Sequence, residues 1–164
     1  MSTEEKNKEE KNKEEKNMSI SEVEFNDAVL AKLIKLSEDW TAENSCYGYR
    51  TNDKSDIEGN RIFFAEEEGE VIGYLFGKIY KSEQMKAIMP EGTPYFEVEE
   101  LYVIPEKRSQ GVGEKLFRYV EDKVKSEAQY VVLSTATKNW KAILHFYLDE
   151  LEMQFWSARL FKRI

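Results

Sequence analysis

The stretch from Glu99 to Gly113 constrains the fold more than any other. It reads as a strand that Pro105 stops and a helix that opens at Gly111, joined through Arg108-Ser109-Gln110. Proline removes a backbone donor and so ends a ladder. Gly111 and Gly113, one residue apart, let the backbone curl with its N–H groups turned inward, and no Cβ there blocks a ligand. The spacing predicts a helix over 111–126, because Val112, Leu116, Val120 and Val124 recur every fourth residue. Tyr130 to Leu133 then reads as a short buried strand. Strand, helix and strand in that order make a crossover, so the strands at 95–104 and 130–133 are expected to lie parallel.

The flanking segments add antiparallel strands. Arg61 to Ala65 and Val71 to Tyr80 alternate around a turn near Gly69 and predict a hairpin. Upstream, Asn26 or Asp27 can cap a helix carrying Val29, Leu30, Leu33, Ile34, Leu36 and Trp40 at helical spacing. Residues 41–60 read as a loop or a second irregular helix, and 81–94, with two prolines and a glycine, as a loop. A second amphipathic helix is expected over 139–148 and one or two final strands over 153–161. The fold class is therefore α/β, a mixed and mostly antiparallel sheet flanked by helices with one parallel βαβ crossover. Residues 1–17 repeat Glu-Glu-Lys-Asn-Lys without an apolar face and read as a charged tail before a domain at 18–164.

Charge and residue inventory exclude several functions. A net charge of −8 disfavours phosphate-backbone binding, which relies on clustered Lys and Arg, and leaves cationic partners favoured. No apolar run approaches the ~20 residues of a spanning helix, and no secretory h-region follows the start. With Cys46 as the one cysteine, no internal disulfide forms, and the expected location is the cytoplasm. His145 is the one histidine, so histidine-rich metal sites are excluded, and no nucleophile elbow supports a Ser-His-Asp triad. No third glycine completes a dinucleotide fingerprint, and no Lys-Ser or Lys-Thr follows the last glycine as a Walker loop needs. Trp140, Trp156, Tyr47 and Tyr49 are expected in the core or around an acceptor pocket rather than stacking on bases.

What remains is an anion site. Inward amides and the helix dipole meet at 109–114, and a pyrophosphate is their natural occupant. Arg108 either adds a charge-assisted contact or shields the loop.

The run Glu99-Glu100-Leu101-Tyr102-Val103-Ile104-Pro105, followed by Arg108-Ser109-Gln110-Gly111-Val112-Gly113, resembles the signature of the GNAT superfamily of N-acetyltransferases. Asn139-x-x-Ala142-Ile143 and Phe146-Tyr147 resemble that family's second cofactor segment. The resemblance implies acetyl-CoA as co-substrate and a primary amine as acceptor. It implies that the 99–103 strand splays from the next parallel strand. Backbone of Leu101, Tyr102 and Val103 would then meet the pantetheine arm. Ser109, Gln110, Gly111, Val112, Gly113 and Glu114 would hold the pyrophosphate beside Arg108, and Asn139 would touch the cofactor from the next helix. Two departures stand out. The family's helix tyrosine usually lies seven residues after the Asn, whereas Tyr147 lies eight after Asn139, with Phe146 at the seventh position. The Gly-Phe that often closes the helix is Glu152-Met153.

For mechanism, an alkyl amine with a pKa of about 10 must lose a proton before attack. Glu97, Glu99 and Glu100 are candidate bases. Glu99 is preferred, because its spacing from the turn matches a carboxylate of similar polyamine acetyltransferases. Strict alternation would place Glu97, Glu99, Leu101 and Val103 on one face, with Glu100 and Tyr102 on the other. The Leu101 amide is the expected oxyanion donor, and Tyr147 the expected acid for the leaving thiolate. The expected partners are a small-molecule amine and, as an open option, a second copy of the chain, without nucleic acid or membrane. A CoA-binding module without turnover and a protein amine as acceptor stand as alternatives.

Overall fold

The computed structural model describes residues 18–164, so the charged segment 1–17 lies outside the described residues. Five strands form one sheet in the order β1-β2-β3-β4-β5. They are β1 (Met18–Val23), β2 (Arg61–Glu67), β3 (Glu70–Lys81), β4 (Pro94–Val103) and β5 (Tyr130–Leu133). All neighbours pair antiparallel except β4 and β5, which are parallel as the crossover requires. The helices are α1 (Asp27–Glu43), α2 (Lys54–Ile57), α3 (Val112–Val124) and α4 (Trp140–His145). A single turn of 3₁₀ helix over Pro105–Lys107 follows β4, and a π-helical turn over Phe146–Glu150 extends α4.

Each face of the sheet is covered by one long helix, and alternation along the strands divides the apolar residues between them. Phe63 of β2 and Leu75 of β3 pack against Leu116, Phe117, Val120 and Val124 of α3. Ile62, Phe64, Tyr74 and Phe76 pack on the other face against Val29 and Leu33 of α1. Helix α1 starts where Asn26 accepts a hydrogen bond from the Val29 amide at 2.9 Å. The expected α3 stripe is buried at all four positions. No helix among the described residues is long and apolar enough to cross a membrane.

Two expectations need correction, and one strand adds to them. Strand β1 has no clear signal in the sequence: its apolar residues are interrupted by Ser19, Ser21 and Glu22, and its place comes from pairing with the free side of β2. Residues 152–164 form no regular element, so the final strands expected over 153–161 are missing. Apolar residues sit side by side there, as Phe155-Trp156 and Leu160-Phe161. Such a pattern names no single buried face and specifies register weakly. Strand β5 is only half-buried, because among the described residues no strand covers its outer edge.

Candidate functional site

The central feature is a bulge in β4. Phe76 of β3 faces Glu100, but the next residue, Gly77, faces Val98, so Glu99 is the extra residue. The bulge breaks the expected alternation. Phe96, Val98 and Leu101 all pack toward α3, while Tyr102 packs toward α1. Leu101 and Val103 therefore do not share a face with Glu97 and Glu99. The three carboxylates fall on the α1 side, because the extra residue shifts the parity midway. Gly77 is what admits this geometry. A Cβ there would lie 3.0 Å from the Glu97 carbonyl carbon and 3.0 Å from Phe96 Cζ, and closer still to the Glu97 carbonyl oxygen. A glycine inside a strand signals a bulge or close approach, so Gly77 is the sequence mark that could have pointed to the bulge that strict alternation missed.

The three carboxylates differ in environment. Glu99 is exposed and accepts a hydrogen bond from the Tyr80 hydroxyl at 3.1 Å. Glu97 is half-buried, and burial, aided by the neighbouring Glu99 charge, pushes its carboxyl up to about 6. Glu100 is the most enclosed. It accepts from Tyr74 at 2.7 Å, from Asn52 at 2.9 Å on both oxygens, and from Tyr49 at 3.3 Å. Burial raises its carboxyl above the ordinary carboxylate range, and the three donors offset only part of that rise. Burial and the Glu100 charge in turn raise the hydroxyls of Tyr74 and Tyr49 well above the ordinary tyrosine value.

Beyond the bulge, β4 loses its parallel neighbour. Pairing with β5 covers Tyr95 to Val98 and stops, although β4 runs on to Val103. The chain after β5 pairs instead with the segment after α1. The Tyr47 amide donates to the Ala136 carbonyl at 2.9 Å, and the Lys138 amide to the Ser45 carbonyl at 2.8 Å. Cys46 and Thr137 form the bridge between them. The two parallel strands thus separate as expected, leaving residues 99–103 without a strand partner on that side.

Between β4 and α3 the chain passes through the 3₁₀ turn at Pro105–Lys107 and a turn that ends at Gly111. Ser109 (φ 58) and Gly111 (φ 81) adopt the left-handed conformation, which rotates the intervening amides to one side. No side chain caps α3 at Gly111, so its first-turn amides point outward at the positive end of the dipole. Gly113 has a different reason from Gly111. A Cβ at 113 would stand 3.3 Å from Phe146 Cζ and 3.7 Å from Val103 Cγ2, so this glycine lets α3 sit against the α4 extension rather than against a ligand. Arg108 braces the turn: it donates to the Val103 carbonyl and to Glu43, each at 2.8 Å, and lies over the Tyr102 ring. Tyr102 also donates to Glu43, at 2.7 Å. The Gln110 side chain donates through Nε2 to the Glu106 carbonyl at 2.9 Å.

Downstream, Asn139 is exposed at the start of α4, and its side chain makes no cap. Trp140–His145 wind as an α-helix. The Leu151 amide then bonds the Phe146 carbonyl at 3.0 Å, a π-type closure that absorbs one extra residue. Phe146 is the residue beneath Gly113, and Tyr147 lies one step further round. Tyr147 packs on the α3-side core, and burial pushes its hydroxyl up to about 12, with Cys46 contributing. Glu152 follows with φ 57 where the usual glycine is replaced. Trp140 is 57% exposed and Trp156 47%, so neither is a core residue, and Tyr47 is also exposed. Tyr49 instead is half-buried against Trp40, with ring centroids 4.2 Å apart and the rings tilted by 33°. His145 is exposed and pairs with Asp149 at 2.6 Å, away from the carboxylates of β4.

The chain matches the profile of the acetyltransferase (GNAT) family over residues 30–151, more than half its length. No curated protein matches it in sequence. Solved structures share its fold at low identity. An aminoglycoside acetyltransferase from an uncultured soil metagenomic sample, in complex with trehalose, aligns with TM-score 0.65 and 15% identity, covering 91% of this chain and 97% of that one. Ribosomal-protein-alanine N-acetyltransferase from Brucella melitensis aligns with TM-score 0.63 and 15% identity, covering 90% and 99%. AAC(6')-Iy, bound to the bisubstrate analog CoA-S-monomethyl-acetylneamine, aligns with TM-score 0.61 and 18% identity, covering 90% and 97%.

Proposed function

This chain belongs to the acetyltransferase (GNAT) family, and on that footing we propose that it transfers an acetyl group from acetyl-CoA to a primary amine on a small cationic molecule. The observation that carries the reading is the double use of β4. The bulge at Glu99 turns three carboxylates to the α1 side, while the same strand runs unpaired beside the uncapped start of α3. The residues fit the cofactor. Amides of Ser109, Gln110, Gly111, Val112, Gly113 and Glu114 would hold the pyrophosphate, with Arg108 bracing that turn. The Leu101, Tyr102 and Val103 backbone would hold the pantetheine arm, and Asn139 would close the site from α4. When bound, acetyl-CoA supplies the activated acyl group.

The remaining work falls to side chains and strand amides. The acidic edge attracts a protonated amine. Glu99 accepts the amine proton, directly or through water; the bulge aims it away from the ladder, as bulges beside active sites do. The Leu101 amide stabilises charge that develops on the carbonyl oxygen. Tyr147 is the donor assigned to the leaving thiolate: burial pushes its hydroxyl up to about 12 and keeps it protonated, so it stabilises the thiolate by donating a hydrogen bond, while the same burial opposes full transfer to a phenolate. A second reading gives proton acceptance to Glu97, whose carboxyl, raised to about 6, suits a base near neutral pH.

Two measurements test the proposal. Acetyl-CoA at ~100 times its Kd should stabilise the fold by about 2.7 kcal/mol. A panel of polyamines, aminoglycosides and an N-terminal peptide should then release CoA and yield an acetylated amine by mass spectrometry. Absence of any thermal shift at millimolar acetyl-CoA would refute the cofactor assignment. A shift without CoA release from any amine would identify a binding module, and acetylation of the peptide alone would move the acceptor to a protein amine.

A further inference from the structure

The most heavily hydrogen-bonded carboxylate on the α1 side of β4 has no role in the chemistry above. Glu100 is enclosed, and all its donors are accounted for: Tyr74 from the neighbouring strand, and Tyr49 and Asn52 from the segment between α1 and α2. That segment is fixed at two places. Residues 45–47 pair with 136–138 beyond β5 through the Tyr47 and Lys138 amides, and Lys138 Nζ reaches Asn44 at 2.8 Å. The other end, 49–52, is fixed to β4 at Glu100 and to α1, where the Asn52 amide donates to the buried Ser37 hydroxyl at 2.8 Å. The 45–52 segment therefore spans the gap between the two separated parallel strands, a strap with one end on each arm. Its β4 anchor lies next in sequence to Glu99, on the same side of the sheet.

We infer that Glu100 is a positioning residue for amine recognition: its carboxylate pins the strap across the open half of the sheet and so sets the wall of the acceptor site. The inference rests on the proposed transferase reading. A carboxylate suits the task because two hydroxyls and a side-chain amide converge on it, and hydrogen bonds to a charged acceptor are shorter and stronger than neutral ones. An amide at the same place brings N–H groups against the Asn52 N–H groups, so part of the cage becomes donor against donor. Loss of the anchor loosens the 49–52 end, which is then held only by its contacts with α1 such as Asn52 to Ser37, while the turn at 108–111, which is braced separately through Arg108 and Glu43, stays in place.

The strap carries its own reporter, because Cys46 is the one cysteine in the chain. The test compares the parent protein with Glu100→Gln and with the milder Tyr49→Phe. Three quantities are read: the rate of Cys46 alkylation by iodoacetamide, the acetyl-CoA Kd by calorimetry, and kcat and KM for whichever of spermidine or sisomicin the parent acetylates. In Glu100→Gln we expect alkylation to accelerate about tenfold and the amine KM to rise about tenfold. The acetyl-CoA Kd should stay within twofold and kcat within about threefold. Tyr49→Phe should shift alkylation and KM in the same direction by about threefold, and it answers the question if Glu100→Gln melts below assay temperature. Unchanged alkylation with unchanged KM overturns the inference, as does faster alkylation with unchanged KM, or a loss confined to kcat. A parent protein that acetylates neither amine refutes the small-amine reading instead, and Cys46 alkylation then still decides whether Glu100 pins the strap.

Discussion

Gly77→Ala tests whether the bulge is held by close backbone approach. The added Cβ would meet the Glu97 carbonyl carbon and Phe96 Cζ at 3.0 Å, and the carbonyl oxygen at less. Ordinary C···O approaches between strands are about 3.3–3.6 Å, so the strands must part. Both groups lie in the sheet interior, where overpacking costs about 1–3 kcal/mol. Stretching one or two ladder hydrogen bonds adds about 0.5–1.5 kcal/mol each. Against this, Gly77 is not in the left-handed region, so alanine restricts the unfolded chain and returns about 0.4–1 kcal/mol. The net destabilisation is about 2–4 kcal/mol. For a domain of this size each kcal/mol lowers Tm by about 2–4 °C, which gives a drop of about 5–15 °C by circular dichroism. Because Glu97 and Glu99 move with the strand, amine turnover should fall further than acetyl-CoA binding. Gly111→Ala is the control: its Cβ enters open space, and only the backbone at φ 81 is strained, about 1–2 kcal/mol. If Gly77→Ala melts within 2 °C of the parent (a deliberately narrow margin), close approach does not hold the bulge and the reasoning fails.

The pH–rate profile separates the two candidate bases. If Glu97 is the base, kcat/KM rises through about pH 6 and levels, and Glu99→Gln moves that limb to lower pH by removing the neighbouring charge; if Glu99 is the base, Glu99→Gln lowers kcat/KM by about 10²-fold and abolishes the acidic limb. The same raised carboxyl makes a stability prediction. The folded state binds the Glu97 proton more tightly than the unfolded chain, so stability from this group is present below about 4.5 and is lost as pH rises through about 6. Urea titrations of Glu97→Gln should therefore show a flatter dependence across that window, and an identical slope would count against the raised value. Tyr147→Phe should lower kcat without lowering Tm, and wild-type kcat would show that solvent protonates the thiolate. Glu152→Gly should raise stability by about 1 kcal/mol, since φ 57 strains a residue with a Cβ and the exposed pair with Arg118 is worth little. A neutral or lower Tm would mean that the left-handed turn is not costly.

Local chemistry wrote the crossover into the sequence. Pro105, the left-handed turn at Gly111 and a four-residue apolar period act within a few residues of chain, so they name a strand stop, an amide-rich turn and a helix without reference to anything distant. The α1 cap at Asn26 and the hairpin about Gly69 are legible for the same reason. Tertiary structure decided which way the site residues face. Strict alternation put Leu101 and Val103 with Glu97 and Glu99; the bulge reversed this, because one unpaired residue flips every side chain beyond it. Its cause, a glycine on the adjacent strand, lies more than twenty positions away. Phe146 under Gly113, Glu100 held by Tyr49, Tyr74 and Asn52, and β1 on the free side of β2 likewise depend on partners from other elements. The 153–161 segment marks the same boundary from the other side. Its apolar residues satisfy strand propensity, yet with neighbours such as Phe155 and Trp156 both apolar they select no face, and a strand exists only where a partner fixes its register.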